Sequence, residues 1–112
     1  MSMNESEFND VVDDIFIEIE DAIEEACDET GADIDYETTS GILTLTFANQ
    51  TQIIINRQAP LQQIWVAAKA GGFHFDFDSG KEKWICSSVE LYVALSEYCT
   101  EQAEQTIVLI AP

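Results

Sequence analysis

The stretch Glu5–Asp35, ESEFNDVVDDIFIEIEDAIEEACDETGADID, decides the fold because its periodicity changes near its end. Apolar side chains first recur at steps of three and four residues, which predicts an amphipathic helix with one buried stripe. Gly31 offers a left-handed stop, and from Ile34 the pattern alternates with a period of two, which is typical of a strand. The chain therefore begins as a helix and continues as a sheet. The stripe consists of Phe8, Val12, Ile15, Phe16, Ile19, Ala22, Ile23 and Ala26.

The face of the helix opposite the stripe carries almost only carboxylates. Most of the 22 acidic residues of the chain lie before residue 38, and no Lys or Arg interrupts them. Pairs of like charge four residues apart, such as Glu20 and Glu24, each destabilise an exposed helix by about 0.2–0.5 kcal/mol. Ile17 is an apolar residue on this acidic side. The face is therefore not optimised for helix stability, and a functional account has to explain it.

Size and charge limit the classes of function. The 112 residues, 46% of them hydrophobic, predict a single domain over residues 1–112 with one modest core. The chain has 22 acidic and only four basic residues, so its net charge is −18. This charge repels nucleic acids and anionic membranes, and it favours cations and basic protein surfaces as partners.

Neither end of the chain has the pattern of a signal peptide or a membrane anchor. The N-terminal residues are polar and acidic, and the apolar run Ile107–Ala111 is too short to cross a bilayer. Cys27, Cys86 and Cys99 are odd in number and far apart, which favours reduced thiols over disulfides or a structural zinc site. We therefore expect a cytoplasmic protein.

The middle of the chain predicts about six short strands joined by tight turns. Ser40-Gly41 and Gly71-Gly72 are typical turn sequences, and Pro60 ends the third strand. Connections this short cannot make the crossovers that parallel strands need, so the sheet is expected to be antiparallel. The predicted strands cover residues 34–38, 42–47, 52–57, 63–68, 73–77 and 83–86.

The C-terminal part predicts a second helix. Ser87 and Glu90 have the spacing of a capping box, and an apolar stripe follows to about Gln102. The apolar tail, residues 106–112, is expected to pack in the groove between the two helices. The fold class is thus α+β: a two-layer α/β sandwich with two helices on one face of an antiparallel sheet of about six strands. The other face meets solvent or a partner.

A group of carboxylates near the end of the first helix and in the first strand are candidate metal ligands. Side chains three or four residues apart on a helix bring their oxygens close together, so a hard divalent or trivalent cation could bridge them. A solvated charged surface without a ligand is the alternative. The sequence has no EF-hand loop and no Glu-x-x-His pair, which predicts a shallow and weak site. We call these residues the acidic ridge: Glu20, Asp21, Glu24, Glu25, Asp28, Glu29, Asp33, Asp35 and Glu37.

Trp65 is the candidate centre of a protein-binding surface. It is out of phase with Ile64 and Val66, so it points away from the core if those two point into it. The opposite arrangement, with Trp65 in the core, also fits the alternation. An outward Trp65 ringed by polar side chains is typical of a binding hot spot. The surrounding polar residues are Asn56, Arg57, Gln58 and Gln63.

His74 is the only imidazole in the sequence. Alternation along its strand places it on the same outer face, where it is either an ordinary surface histidine or a secondary soft-metal contact together with Asp76. The sequence contains no nucleophile elbow, no glycine-rich phosphate loop and no Cys-His pair at a recognisable spacing. We therefore expect a protein that is not an enzyme.

The run Asn56–Trp65, NRQAPLQQIW, is the most specific motif in the chain. Together with ILTLTF at 42–47 and GGFHFD at 71–76, it resembles the frataxin family, in particular its bacterial members, over about residues 4–102. The resemblance implies an α/β sandwich whose acidic ridge binds Fe²⁺ or Fe³⁺ weakly at the surface, with other divalent or trivalent cations able to substitute. It also implies a role in iron–sulfur cluster assembly, as a regulator or an iron donor.

The resemblance further implies the partners: a cysteine desulfurase and, through it, the scaffold protein on which clusters form. It implies a monomer that metal can drive into oligomers. Asn9 and Gln62 stand where relatives often carry His, and Cys27 interrupts the ridge where relatives tend to be acidic. The family's iron-binding surface corresponds to the acidic ridge. Its sheet-face partner residues correspond to Asn56, Gln58, Gln63, Ile64 and Trp65.

Two alternatives from other classes stay open. An iron store or ferroxidase-like oligomer would need buried His and Glu ligands for a pair of metals, and the sequence predicts none. An acidic protein-interaction domain would use the same carboxylates for electrostatics alone, without any metal role.

Overall fold

The computed structural model describes residues 3–111, which form two helices on one face of an antiparallel sheet. The seven strands of the sheet lie side by side in chain order. This confirms the predicted α+β sandwich and corrects the number of strands from about six to seven. The helices are α1 (Glu5–Thr30) and α2 (Leu91–Ala103), and the strands are β1 (Ile34–Thr39), β2 (Ile42–Phe47), β3 (Gln52–Gln58), β4 (Gln63–Ala68), β5 (Gly71–Asp78), β6 (Lys83–Cys86) and β7 (Val89–Glu90).

Both ends of α1 are fixed by local hydrogen bonds. Asn4 caps the start reciprocally: its side chain accepts from the Glu7 N–H (2.8 Å), and its N–H donates to the Glu7 carboxylate (3.1 Å). Such a cap stabilises a helix by about 0.5–2 kcal/mol. Gly31 ends the helix with φ of 75°, and its N–H donates to the Cys27 carbonyl at 2.8 Å. This stop sets the last turn of α1 beside β1.

The apolar stripe of α1 packs on the inner face of the sheet. Phe8, for example, is fully buried and meets the Trp84 ring edge-on, with 6.0 Å between the ring centroids. Ile15 is the one stripe residue that stays partly exposed. Each fully buried side chain of this size contributes roughly 1.5–3 kcal/mol. The fully buried sheet residues are Leu43, Leu45, Ile53, Ile55, Ile64 and Phe75.

The seventh strand replaces the expected capping box at Ser87. Ser87 and Ser88 both have positive φ, 49° and 70°, and reverse the chain in a two-residue turn, so that Val89 pairs with Cys86. The chain can enter α2 only after this hairpin. Glu90 is therefore the residue at the helix start, where its carboxylate accepts from the Tyr92 N–H at 2.9 Å.

The C-terminal tail runs along α2 on its α1 side. The Thr100 hydroxyl accepts from the Ile107 N–H (2.9 Å) and donates to the Ile107 carbonyl (3.0 Å), and the Ser96 hydroxyl accepts from the Leu109 N–H (2.8 Å). Ile107 and Leu109 are buried, while Val108 is exposed beside α1. The last residue of the predicted tail, 112, lies outside the described residues. Along residues 3–111, neither helix combines the length and the apolar character that a membrane crossing requires.

Candidate functional site

Two carboxylates of the acidic ridge are held by hydroxyls of β1. The Tyr36 hydroxyl donates to the Glu24 carboxylate and the Thr38 hydroxyl to the Glu20 carboxylate, each at 2.6 Å. Both bonds cross from the edge of the sheet to α1. Hydrogen bonds to an ionised acceptor are shorter and stronger than neutral ones. The ridge is therefore ordered at these two positions.

The bond to Glu24 changes the acidity of Tyr36. The hydrogen bond, together with desolvation and the neighbouring carboxylates, raises the pKa of Tyr36 from 10.0 to about 12. A phenol with this pKa stays protonated near neutral pH. Tyr36 therefore remains a hydrogen-bond donor to Glu24 over the whole physiological range.

The ridge carboxylates point in three directions. Glu25 and Glu29 lie on the α2 side of α1, next to the tail. Glu37 lies on the outer face of the sheet, and Asp35 lines depressions on both sides of the sheet edge. Asp21 is exposed on α1, near enough to Tyr36 to act on it electrostatically. Within residues 3–111, no group of three or more His, Cys, Asp or Glu side chains is close enough to form a metal site. The ridge is thus an extended acidic surface with no compact ligand cluster.

An open cleft between α1 and β1 is lined by ridge residues of both elements. It has a volume of about 440 Å³. Carboxylates and water are the ligands that hard cations prefer, and an open cleft leaves room for the water. The lining residues are Glu24, Cys27, Asp28, Ile34, Asp35 and Tyr36.

Cys27 is a poor metal ligand in this cleft. Its Sγ lies 3.9 Å from the Ile34 carbonyl oxygen, as a weak donor. Partial burial raises the pKa of the thiol, and the carboxylates of Asp28, Asp33 and Asp35 raise it further. Thiols bind metal as thiolates. The cleft therefore offers oxygen ligands to a cation.

The outer face of the sheet carries an aromatic platform. Ile64 and Val66 are buried, so Trp65 points outward, and the arrangement with Trp65 in the core is excluded. The indole stacks on His74, with 4.2 Å between ring centroids and 11° between the planes. Its N–H donates to the Gln63 side chain at 2.8 Å. The Trp65 indole is thus held by two contacts and partly exposed, which is typical of a hot-spot aromatic.

Amide side chains extend this platform across the neighbouring strands. Asn56 is directly opposite Trp65 in the sheet, and Gln58 is opposite Gln63. Gln63 also donates to the Asp76 carboxylate at 3.0 Å. A row of amides and a carboxylate thus borders the Trp65–His74 stack, and His74 is part of an aromatic pair.

Two of the predicted docking residues, Arg57 and Ile64, are not on this face. Successive residues of a strand point to opposite faces, so both are directed toward the helices. Ile64 is fully buried. Arg57 forms an ion pair with Asp13 at 2.6 Å, donates to Asn9, and lies over the Phe16 ring with 5.1 Å to its centroid. Arg57 therefore fastens β3 to α1.

The sequence did not reveal the contacts that fasten α1 to the sheet. Gln62 has φ of 52°, and its side chain donates to the Met3 carbonyl in front of α1. Asn9 accepts from Arg57. Gln62 and Asn9 thus both serve the attachment of α1 to the sheet. Tyr36 and Thr38 were also missed, and the only signal for them was that hydroxyls alternate with acids in β1.

Comparison with known proteins agrees with this architecture. The family model of the frataxin-like domain matches residues 1–105. The chain belongs to the frataxin family. Among similar proteins, the iron-sulfur cluster assembly protein CyaY of Vibrio vulnificus (strain YJ016) is 50% identical over 107 residues, 94% of this chain and 97% of the relative. The protein of the same description from Polaromonas sp. is 47% identical over 110 residues, 98% and 95% of the two chains.

Solved structures extend the agreement to the fold of this frataxin-family chain. Frataxin from Psychromonas ingrahamii matches with a TM-score of 0.77 and 41% identity, over 95% of this chain and 97% of the other. Trimeric yeast frataxin complexed with ferrous iron matches with a TM-score of 0.69 and 25% identity, over 94% of this chain and 90% of the yeast chain. The predicted resemblance and fold are confirmed. Family membership also confirms the prediction of a non-enzymatic protein.

Proposed function

We propose that this chain acts as one frataxin-like domain, residues 1–112, and serves as an iron-responsive regulator or iron donor in iron–sulfur cluster assembly in the cytoplasm. The observation that carries the proposal is the cleft where ridge carboxylates of α1 and β1 meet, on the fold of a family whose relatives are described as cluster assembly proteins. The yeast relative complexed with ferrous iron supports iron as the metal.

In this proposal the ridge binds Fe²⁺ or Fe³⁺ weakly and keeps water on the metal. Glu24, Asp28 and Asp35 are the first candidates, because they line the same cleft from two elements. Binding relieves the repulsion between carboxylates, so other divalent or trivalent cations would substitute. The remaining ridge residues, Glu20, Asp21, Glu25, Glu29, Asp33 and Glu37, contribute charge around this point.

A metal titration of the isotope-labelled chain tests the iron site. We expect Fe²⁺ without oxygen, or Co²⁺, to shift or broaden the backbone NMR signals of Glu24, Asp28 and Asp35 before others. A variant with the changes Glu24→Gln, Asp28→Asn and Asp35→Asn should no longer show these shifts. The matched control neutralises three acids in and just after α2, none of which lines the cleft, by the changes Glu97→Gln, Glu101→Gln and Glu104→Gln. Equal responses of both variants would refute the cleft as the site.

The proposed partners are a cysteine desulfurase and, through it, the scaffold protein. The acidic ridge would meet a basic surface, and the Trp65 platform with Asn56, Gln58 and Gln63 would form the second contact. Arg57 and Ile64 are left out because they face the helices. The chain would act as a monomer that iron can assemble further. Charge complementarity of this kind speeds association and makes it depend on salt.

Binding to the desulfurase at several salt concentrations tests this contact. We expect Glu24→Lys, Glu25→Lys and Asp28→Lys together to weaken binding and to flatten its salt dependence. Cluster assembly by desulfurase and scaffold, followed across iron concentrations with and without the chain, reads out the regulation. An unchanged rate at every iron level would contradict the proposal.

A second candidate is an acidic interaction domain without a metal role. The absence of a compact three-ligand cluster within residues 3–111 favours it. In this case the desulfurase would bind equally well with and without Fe²⁺, and the metal titration would show only diffuse shifts along α1.

A further inference from the structure

Strand β1 forms one edge of the sheet and pairs only with β2. The hairpin closes through the two-residue turn Ser40-Gly41, so Thr39 is hydrogen-bonded to β2, and bonding alternates back along the strand. The backbone N–H and C=O groups of Tyr36 and Thr38 therefore point away from the sheet. Across residues 3–111, no hydrogen bond from outside the hairpin reaches these backbone groups.

This edge lacks the usual protection against a further strand. On its helix face, β1 is held to α1 by the Ile34 carbonyl, which meets Cys27, and by the side chains of Tyr36 and Thr38. The outward backbone groups of Tyr36 and Thr38 take no part in these contacts. Edge strands are commonly protected by Lys, Pro or a bulge, whereas β1 is IDYETT and pairs in unbroken register. Its acids, Asp35 and Glu37, would repel a second copy of the same strand. The edge therefore disfavours self-association and stays open to a strand of opposite charge.

Acidic depressions flank the open edge on both faces of the sheet. On the helix side lies the cleft of about 440 Å³ with Glu24 and Asp28. On the outer side, Asp35 and Glu37 line a depression of about 480 Å³ that extends over β2 and β3. Successive side chains of an added strand point to opposite faces. Neighbouring basic residues of such a strand would each reach one depression.

We propose that the open edge of β1 binds an extended basic segment of a partner protein as an additional strand. The segment hydrogen-bonds to the backbone of Tyr36 and Thr38, and its Lys or Arg side chains enter the flanking depressions. The inference rests on the proposed function, since the same acidic surface meets a basic partner there, and it adds the mode of binding. Backbone pairing supplies affinity, and the alternating charge supplies specificity.

Two peptides test this mode on the full chain. One is an acetylated and amidated peptide of about seven residues of alternating Lys and Thr. The other has the same sequence with every backbone amide N-methylated, which keeps the charge and removes the donors. We expect the first to slow amide hydrogen exchange of Tyr36 and Thr38 about tenfold or more at saturation. The methylated peptide should leave it unchanged.

Three results would overturn the inference: no binding of the first peptide, equal binding of both, or binding without slower exchange at Tyr36 and Thr38. Failure of the peptide test leaves desulfurase binding, and with it the proposed function, unaffected. Loss of desulfurase binding while the peptide still protects these amides contradicts the proposed function alone.

A pair of variants at one position separates backbone pairing from charge. Thr38→Pro removes an outward N–H at an edge position, where proline is tolerated. It should weaken binding of the Lys-Thr peptide about fivefold, as expected for one hydrogen bond. Thr38→Val loses the same hydroxyl, which binds Glu20, but keeps the N–H, so it is the reference against which the fivefold weakening of the proline variant is measured. If Thr38→Pro does not fold, the exchange of the Tyr36 and Thr38 amides in the unaltered chain decides whether the peptide pairs with β1. If both variants fold and bind the peptide equally well, backbone pairing is contradicted.

Discussion

The hydroxyls of Tyr36 and Thr38 order two carboxylates of the ridge in the absence of any ligand. A glutamate on an exposed helix loses roughly 1.5–2 kcal/mol of side-chain entropy when a ligand fixes it. Glu24 and Glu20 are already held by hydrogen bonds of 2.6 Å, so part of this cost is met during folding. The other ridge acids lack such donors within the described residues. Single residues of β1 therefore give the two elements of the ridge a fixed spacing.

Neutralising Glu24 should make Tyr36 more acidic. The folded pKa of Tyr36 is raised from 10.0 to about 12, so its protonated form is favoured by folding. Stability from this bond is complete below about pH 10 and is lost as the pH rises through about 12. Glu24→Gln should move the pKa toward 10, as followed by NMR of the Tyr36 ring carbon. Glu37→Gln, on the outer face, is the control, and an equal shift in both variants would exclude Glu24 as the cause.

Gln102 is a buried polar residue whose loss should destabilise the fold. Its side chain donates to the Thr51 hydroxyl and the Gln52 carbonyl, both at 3.1 Å, and accepts from the Lys69 N–H at 3.0 Å. Gln102→Leu removes all three bonds and leaves the Lys69 N–H and the Gln52 carbonyl without these partners, at a cost of about 1–3 kcal/mol in the free energy of unfolding. Urea denaturation measures this. The exposed Gln105→Leu should change it by less than about 0.5 kcal/mol, and similar values for both would refute the role.

At the scale of elements, the tail and α2 are matched to each other. Ser96 and Thr100 are one helical turn apart, and their hydroxyls meet the backbone of Leu109 and Ile107, two residues apart in an extended segment. A helical turn rises about 5.4 Å, and two extended residues span about 6.6 Å, so the two repeats agree closely. This match fixes the register in which the tail buries alternate side chains.

Truncating an inward tail residue should therefore cost far more than truncating an outward one. Leu109→Ala should lower the free energy of unfolding by about 2–4 kcal/mol, because Leu109 is 4% exposed and leaves a cavity. Val108→Ala, at 59% exposed, is the matched control and should change it by less than about 0.5 kcal/mol. Denaturant unfolding of both variants gives the comparison. A smaller loss for Leu109→Ala than for the control would mean that the tail is not packed in this register.

At the scale of the whole molecule, charge is concentrated on one side and nearly uncompensated. The net charge is −18, and Arg57–Asp13 is the one ion pair within residues 3–111. Repulsion of this kind works against the folded state and is screened by salt. The negative electrostatic potential of these charges also attracts cations and basic proteins from a distance. The molecule thus loses stability where its proposed ligands would restore it.

Salt should accordingly stabilise the chain. Raising the ionic strength from about 0.01 M to about 0.15 M shortens the screening length from about 30 Å to about 8 Å. We expect the melting temperature to rise by about 4–8 °C, equivalent to about 1 kcal/mol for a domain near this size. A variant with Asp10→Asn, Asp14→Asn and Asp21→Asn should show a smaller rise in calorimetry. A melting temperature that falls with salt would mean that screened attractions outweigh the repulsion.

The sequence by itself determined the elements, the core and the family. Helical and strand periods are local properties, so the stripe from Phe8 to Ala26 and the alternation in 42–47 could be recognised without a structure. The motif Asn56–Trp65 is also local, since it is one contiguous run, and it indicated the family without a structure. The seventh strand was missed because the left-handed backbone of Ser87 and Ser88 has no strong local signal.

Only the tertiary structure decided which ridge carboxylates line one cleft and which face of the sheet each predicted docking residue occupies. Glu24, Asp28 and Asp35 line one open cleft because the last turns of α1 lie beside β1, while Glu25 and Glu29 lie next to the tail. These groupings depend on contacts between residues far apart in the chain. A one-residue step along a strand reverses the face, so Arg57 is directed toward α1 whereas Trp65 lies on the outer face with His74.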